Sequence, residues 1–278
     1  MSNISLESIY GETARRLRES LLAVDPMTFD GARAERIRIT TRRQVALLNL
    51  ATKRWADLEI PKAYRTGARR ARVALEILGK KRKKPDMEAP ELRLKDRMLE
   101  RTFAANNSIK ETVDKFLGAA MLAARTVKGT QIQEQISMDD AREVFERWGL
   151  EAVAKQQARG VLSKKIYEYL RTLIEESNFI EINGRYYQMR KYSKMVARTE
   201  LREAQSEATK EVCRQFEHDL VEISEHGTEC EICKPYEGEV YSLSGQHPDY
   251  PMLDEEPPFH PNCLHVMRPV SEIALEYR

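Results

Sequence analysis

Residues 230–233 are Cys-Glu-Ile-Cys, and residues 260–265 are His-Pro-Asn-Cys-Leu-His. These two stretches contain three of the four cysteines in the chain and two of its five histidines. A Cys-x-x-Cys turn places two sulfur atoms on one side of a tight loop, and soft ligands from a second segment can complete a tetrahedral zinc site. We therefore predict a structural zinc site that ties an irregular part of the chain into a fold.

The zinc ligands predicted from this spacing are Cys230, Cys233, Cys263 and His265. His260 competes for the fourth position, because His260-x-x-Cys263 is also a workable spacing. Since tetrahedral zinc takes four ligands, one of the two histidines would lie beside the metal without binding it. The alternative to zinc is a group of structural thiols, or a disulfide, beside unrelated histidines. The remaining cysteine, Cys213, is predicted to be an ordinary buried thiol.

Composition limits the class of protein. Charged residues make up 32% of the chain and the mean hydropathy is -0.59, which predicts an elongated or partner-covered molecule. The net charge of +2, from 46 basic and 44 acidic residues, does not by itself indicate a nucleic-acid-binding protein. No apolar run of about 18 residues is present and the N-terminus lacks the pattern of a secretory signal. We expect folding in a reducing cytoplasm, where clustered cysteines more often bind metal than form disulfides.

Apolar residues recur three or four positions apart through most of residues 1–178, as on one buried helix face. Three such stripes lie over 36–58, 64–78 and 107–126. Their apolar members are Val45, Leu48, Ala51 and Trp55 in the first stripe, Ala68, Ala71, Leu75 and Leu78 in the second, and Ile109, Val113, Phe116, Ala120 and Ala124 in the third. Two further helices are predicted over 137–149 and about 160–177.

A basic cluster separates the second stripe from the third. It consists of Lys80, Lys81, Arg82, Lys83 and Lys84. Adjacent like charges repel one another, and the flanking Gly79 and Pro85 oppose helix continuation, so residues 80–91 are predicted to be a solvated linker. The alternative is a contact with nucleic-acid phosphates, which a local cluster can make whatever the overall charge.

The sequence pattern changes after residue 178. β-Branched and aromatic residues surround Asn183-Gly184, which tolerates the positive φ angles of a tight hairpin turn. A long helix is predicted over about 190–217, followed by strands over 220–224 and 239–243. The Pro-rich stretch 244–261 is expected to be irregular.

The predicted fold is mainly α, with an elongated helical N-terminal region and a small α+β C-terminal module. The module contains the zinc-stapled irregular β segment. The predicted divisions of the chain are a helical region over 1–79, the basic linker over 80–91, a second helical region over 92–178 and the C-terminal module over 179–278.

Catalytic chemistry is not expected at the cysteine cluster. A zinc deaminase would need a His-x-Glu segment followed by Pro-Cys-x-x-Cys, but Glu229 precedes Cys230 and no His-x-Glu occurs upstream. Gly-x-Ser-x-Gly, His-Glu-x-x-His and a Gly-rich phosphate loop are also missing from the sequence. Catalytic zinc usually keeps one position open, whereas this residue set can fill all four. We therefore predict a protein that is not an enzyme, with a metal-dependent nuclease as the less favoured alternative.

Several short segments follow one another in a specific order over residues 180–270. They are Asn183-Gly184-Arg185-Tyr186-Tyr187, Met195-Val196-Ala197-Arg198-Thr199-Glu200, Ser224-Glu225-His226-Gly227, Cys230-x-x-Cys233, Gly238-Glu239-Val240-Tyr241-Ser242 and Pro258-Phe259-His260-Pro261-Asn262-Cys263-x-His265. In this order the C-terminal third resembles the minor head proteins of tailed phages, the group of Mu F-like head morphogenesis and phage minor capsid protein 2. That family commonly has Arg where this chain has Leu264, so no role of that basic side chain is expected here. Arg198-Thr199-Glu200 belongs to this family pattern or is a solvated or salt-bridged helix face.

The resemblance implies a virion protein without catalytic activity, made in the host cytoplasm and located in the phage head interior or at the portal vertex. It implies a role in head assembly, DNA packaging or DNA delivery, with the portal protein and capsid proteins as partners. A homo-oligomer or multi-copy assembly and a contact with packaged DNA are further expectations, and the helical N-terminal half would supply the contact surface. The competing hypothesis is a zinc-ribbon nucleic-acid-binding protein that uses the basic cluster.

Overall fold

Four long helices dominate the computed structural model, which describes residues 5–25, 29–80, 88–127, 168 and 171–272. Their bounds are Leu6–Leu22 for α1, Gly31–Ile77 for α2, Glu88–Val127 for α3 and Met189–Gln215 for α4. The strands are Ile180–Ile182 (β1), Arg185–Tyr187 (β2), Leu220–Ile223 (β3), Val240–Ser242 (β4) and Met267–Pro269 (β5). The prediction of a mainly helical chain with a small sheet-containing C-terminal region is confirmed.

Helix α2 unites the first two predicted stripes in one helix of 47 residues. Val45, Leu48 and Leu75 are almost completely buried, as the spacing predicts. Pro61 lies inside the helix, where it removes one backbone hydrogen bond without ending the element. Two neighbouring apolar stripes in sequence thus form one continuous structural element.

Helix α2 ends immediately before the basic cluster. The N–H of Gly79 donates to the carbonyl of Glu76 at 3.1 Å, and the N–H of Lys80 donates to the carbonyl of Leu75 at 3.0 Å. Gly79 has a φ of +83°, which completes a Schellman motif. Gly79 therefore terminates the helix, as expected from a glycine that opposes helix continuation.

The third predicted stripe lies within helix α3, which begins before the predicted linker ends. Helix α3 begins at Glu88, so residues 88–91 are helical although the sequence predicts a linker over 80–91. Ile109, Val113 and Phe116 are buried on its predicted face. The predicted helix over 137–149 lies outside the described residues, and residues 171–175 are helical within the predicted span of about 160–177.

The Asn-Gly hairpin is confirmed. Strands β1 and β2 pair antiparallel, with Ile182 opposite Arg185. Asn183 and Gly184 have φ angles of 51° and 76°, and a two-residue turn with positive φ at both central positions matches the twist of the strands.

A three-stranded antiparallel sheet with the order β4-β3-β5 forms the C-terminal region. The predicted strands over 220–224 and 239–243 are present as β3 and β4, which pair with each other. Strand β5, which contains Pro269 and pairs with β3, was not predicted. Val221, Ile223 and Met267 of the sheet form a buried core together with Cys213 and Leu253. The buried Cys213 therefore has the packing role expected for it.

The chain forms two compact units, each assembled from two segments. One unit comprises Met1–Ala51 and Phe103–Tyr192, and the other comprises Thr52–Thr102 and Ser193–Arg278. Helices α2 and α3 each contribute residues to both units. The division into regions predicted from the sequence stays a prediction. The three-stranded sheet and the cysteine cluster belong to the second unit.

A buried polar network organises the first unit. The hydroxyl of Tyr10 donates to Asn106 Oδ1 at 2.7 Å, and Asn106 Nδ2 donates to Asn49 Oδ1 at 2.8 Å. These bonds join α1, α3 and α2 and satisfy polar groups that would be costly to bury alone. Within the part of the chain that is described, none of the helices has the length and apolarity needed to span a bilayer.

Candidate metal centre

Two turns and the segment entering β5 bring the predicted ligands together. In the first turn the N–H groups of Cys233 and Lys234 both donate to the carbonyl of Cys230, at 3.1 and 2.9 Å. In the second turn the N–H of Cys263 donates to the carbonyl of His260 at 3.0 Å. His265 follows two residues later and is 3% exposed. All of these residues belong to the second unit.

Five potential donors converge at this site. His260 Nε2 lies 3.0 Å from Cys233 Sγ and 3.4 Å from Cys230 Sγ. Cys263 Sγ lies 3.8 Å from Cys233 Sγ and 3.4 Å from His265 Nδ1. The donors form two groups of three that share Cys233. Every ligand considered from the sequence is therefore present, including both competing histidines.

Three of the distances between donor atoms are close to those in a tetrahedral zinc site. Zn–S bonds of about 2.3 Å and Zn–N bonds of about 2.0 Å separate two sulfur ligands by about 3.8 Å, and a sulfur from a nitrogen by about 3.6 Å. The distance between Cys233 Sγ and Cys263 Sγ matches the first value, and the distances of 3.4 Å to His260 and His265 are close to the second. The contact of 3.0 Å between Cys233 and His260 is about 0.6 Å shorter than a tetrahedron requires.

Both histidine rings are oriented by a hydrogen bond on the far side from the sulfur atoms. Nδ1 of His260 lies 2.8 Å from the carbonyl oxygen of Pro261, and Nε2 of His265 lies 2.9 Å from Glu237 Oε1. When those nitrogens carry the proton, the other nitrogen of each ring presents its lone pair to the cysteines. Such an arrangement is usual for metal-binding histidines.

Glu237 is a site residue that sequence reasoning missed. Besides His265, its carboxylate accepts the N–H of His226 at 2.6 Å and the N–H of Thr228 at 3.0 Å. Burial favours a higher value, but the Thr228 N–H, His265 and the His226 N–H hold the pKa of Glu237 below its usual range. The only sequence signal was its place shortly after the Cys-x-x-Cys turn, in a chain rich in Glu.

The thiols differ in their acidity. Burial, reinforced by the neighbouring Cys263 thiol, raises the pKa of Cys233 to about 12. The N–H groups of Cys233 and Ile232 lower the pKa of Cys230. Because a metal ion binds the thiolate, uptake of zinc here would release protons.

The basic cluster is described only at its first residue. Lys80 Nζ lies 3.5 Å from the carbonyl oxygen of Glu217, a contact within the second unit. Lys81, Arg82, Lys83 and Lys84 lie outside the described residues. The predicted phosphate contact therefore stays a prediction.

The sequence model of one protein family matches more than half of the chain. That family is described as phage minor capsid protein 2, and the match covers residues 80–272. The matched range contains the basic cluster, the hairpin, the sheet and all five donors. Neither curated proteins nor solved structures gave a significant match.

Proposed function

The chain belongs to the phage minor capsid protein 2 family, and from this premise we propose that it is an assembly component near the portal of the phage head. A minor capsid protein is a structural component of the virion, made in the host cell. Its proposed work is binding to other head proteins during head assembly, DNA packaging or DNA delivery. The family match over residues 80–272 is the observation that carries this proposal.

The proposed partners are the portal protein and the capsid proteins. Long helices such as α2 and α3 offer extended surfaces for such contacts, in a multi-copy assembly. The competing function, a zinc-ribbon protein that binds nucleic acid, depends on the basic cluster over 80–84, of which only Lys80 lies in the described part of the chain.

Purified virions and head assembly intermediates provide the test. We expect mass spectrometry to detect the chain in one or both, and an affinity-tagged chain to retain portal protein from infected cells. Absence from mature heads and from intermediates would contradict the proposal. Binding to DNA that weakens steeply with salt, and that is lost when the five basic residues are replaced, would favour the competing function.

We further propose that the cysteine cluster holds a structural zinc ion. The proposed ligands are Cys230, Cys233, Cys263 and His265, with His260 as the alternative to His265. Within this set, Cys263 Sγ lies 3.8 Å from Cys233 Sγ and 3.4 Å from His265 Nδ1, and Cys230 Sγ lies 3.4 Å from the alternative ligand His260. When bound, zinc would supply cross-linking of the two turns, and structural zinc contributes on the order of 10–16 kcal/mol of apparent binding free energy that is expressed as folding free energy.

The metal content of the full chain tests the site. We expect about one zinc per freshly purified, reduced chain, and loss of zinc in Cys230→Ser and Cys263→Ser. The matched control is Cys213→Ala, which removes the one cysteine outside the cluster. Zinc lost in His265→Ala and retained in His260→Ala would support His265 as the ligand, and the reverse result would assign His260. A wild-type chain without zinc would refute the site.

A further inference from the structure

One turn of helix α4 contacts residues 260–263, which form the second of the two turns that carry potential ligands and are called the second ligand turn below. Thr199 Oγ1 accepts the backbone N–H of Asn262 at 3.2 Å. Nη1 of Arg198 donates to Oδ1 of the same asparagine at 3.4 Å. Asn262 lies between the potential ligands His260 and Cys263, so two neighbouring helix residues hold the centre of this turn from outside.

Asn262 has a conformation that needs such support. Its φ angle is +69°, in the left-handed region that non-glycine residues rarely adopt, although Asn tolerates it better than most. The turn itself supplies one hydrogen bond, from the N–H of Cys263 to the carbonyl of His260. The N–H and the side chain of Asn262 are instead satisfied by α4. The geometry of the turn is therefore determined partly by the helix.

The helical turn that carries Arg198 and Thr199 is itself attached to helix α3. Glu200 is 7% exposed, and its carboxylate accepts a hydrogen bond from Arg101 of α3 at 2.9 Å. Arg198 and Thr199 thus project from a part of α4 that is fixed within the second unit. A fixed support is what a positioning contact requires, because a mobile one would not restrict the ligand turn.

We propose that Thr199 and Arg198 are positioning residues of the metal centre, which act through Asn262 to set the separation and orientation of His260 and Cys263. This inference rests on the zinc site proposed above. Neither residue reaches a donor atom in the contacts described. Their effect is to stabilise the strained backbone of Asn262, so that the two flanking side chains reach the ion without a rearrangement of the turn.

The three residues of the Arg198-Thr199-Glu200 segment make different contacts. Glu200 forms the salt bridge to α3, whereas Arg198 and Thr199 face the ligand turn. The salt-bridged helix face expected from the sequence is present at Glu200.

Thr199→Val tests the proposal in the full chain, because valine keeps the branched shape and removes the acceptor for the Asn262 N–H. Zinc affinity is measured by competition with a chromophoric chelator, and the ligand geometry by the absorption spectrum of bound Co²⁺. We expect about tenfold weaker zinc binding and a changed Co²⁺ spectrum, since residues that orient ligands typically contribute at least this factor. Thr199→Ser, which retains the hydroxyl, is expected to restore both values.

The matched control is Thr209→Val on the same helix, where the hydroxyl donates only to the carbonyl of Gln205. We expect its zinc affinity to equal that of the wild type. If Thr199→Val folds poorly, Arg198→Gln at an exposed position provides a second test, with about twofold weaker binding expected for the loss of one long hydrogen bond.

The outcomes separate this inference from the zinc site itself. A wild-type chain that binds no zinc refutes both. A wild-type chain that binds zinc, together with Thr199→Val and Arg198→Gln variants of unchanged affinity and unchanged Co²⁺ spectrum, overturns the positioning role and leaves the zinc site standing. Equal weakening in Thr209→Val would also overturn it, because the effect would then reflect general destabilisation.

Discussion

Glu237 shows at the scale of one residue how a carboxylate organises the candidate metal centre. It joins the ring of His265 to the backbone of residues 226 and 228 through three hydrogen bonds. The bond to Nε2 leaves Nδ1 of His265 facing Cys263 Sγ. Glu237 therefore determines which nitrogen of His265 is available to a metal ion.

Replacing this carboxylate distinguishes the two histidines. We expect Glu237→Gln to weaken zinc binding by about tenfold if His265 is a ligand, because the amide is uncharged and holds the imidazole less strongly. Zinc affinity is measured by chelator competition, with the exposed Glu239→Gln as the matched control. Unchanged affinity in Glu237→Gln would contradict the role of His265 and favour His260 as the fourth ligand.

Glu200 is the second carboxylate with an unusual environment. Burial raises its pKa to about 7, although Arg101 and Arg97 oppose the shift and Glu203 adds to it. A carboxyl group with a higher pKa in the folded chain than its ordinary 4.5 binds more protons when folded than when unfolded. The free energy of unfolding should therefore fall as the pH rises through this interval.

We expect the Glu200→Gln variant to lose this pH dependence. Between pH 5 and pH 7 the wild type should lose on the order of 1–3 kcal/mol of unfolding free energy through this group, and the variant should lose less. Urea unfolding at both pH values measures the difference, with Glu100→Gln at an exposed position of α3 as the control. Equal pH dependence in the wild type and in Glu200→Gln would contradict the expectation.

At the scale of the element, close packing of α2 against α4 depends on a glycine. A Cβ atom added to Gly67 would lie 2.4 Å from the carbonyl oxygen of Gln205 and 2.7 Å from its Cα. Both are backbone atoms, which cannot move aside without displacing a helix. The sequence predicted the helix over about 190–217, but its close contact with Gly67 could only be identified once the two helices were placed together.

Two glycine-to-alanine substitutions should have opposite effects on stability. Gly67→Ala should destabilise by about 1–3 kcal/mol, because the steric clash outweighs the better helix propensity of alanine. Gly118→Ala, in α3, should stabilise by up to about 1 kcal/mol, since a Cβ atom at that position meets nothing within 4 Å. Urea unfolding of both variants provides the measurement. Stabilisation by Gly67→Ala would show that the helices are farther apart than described.

At the scale of the whole molecule, the zinc site and the sheet should unfold together. The second ligand turn leads directly into β5, and the N–H of Ser224, next to β3, donates to the carbonyl of Val266 at 2.9 Å. Removing the metal releases the constraint on both turns, which have little apolar core of their own.

We expect a strong chelator to reduce hydrogen-exchange protection in the sheet and the ligand turns, and to leave α1 protected. Hydrogen exchange with mass spectrometry on the full chain, with and without chelator, resolves the two regions. The wild type in chelator followed by excess zinc serves as the reversibility control. Uniform loss of protection across α1 and the sheet would argue against a local structural role of the metal.

The sequence by itself determined the elements whose signals are local. The 3.6-residue stripes predicted buried helix faces, Asn183-Gly184 predicted the hairpin, and the Cys and His spacing predicted which side chains meet. The helix and hairpin signals depend on periodicity and on backbone preferences within a few residues, and each ligand segment carries its own short spacing.

The tertiary structure decided the features that depend on distant partners. It assembled each compact unit from two separated segments, added β5 despite Pro269, and placed Glu237 and Thr199 around the ligand turns. It also brought both His260 and His265 to the sulfur atoms, where spacing alone left a choice between them. The physical reason is that a hydrogen bond or a close helix contact requires three-dimensional proximity, and residues far apart in sequence carry no local pattern that reports it.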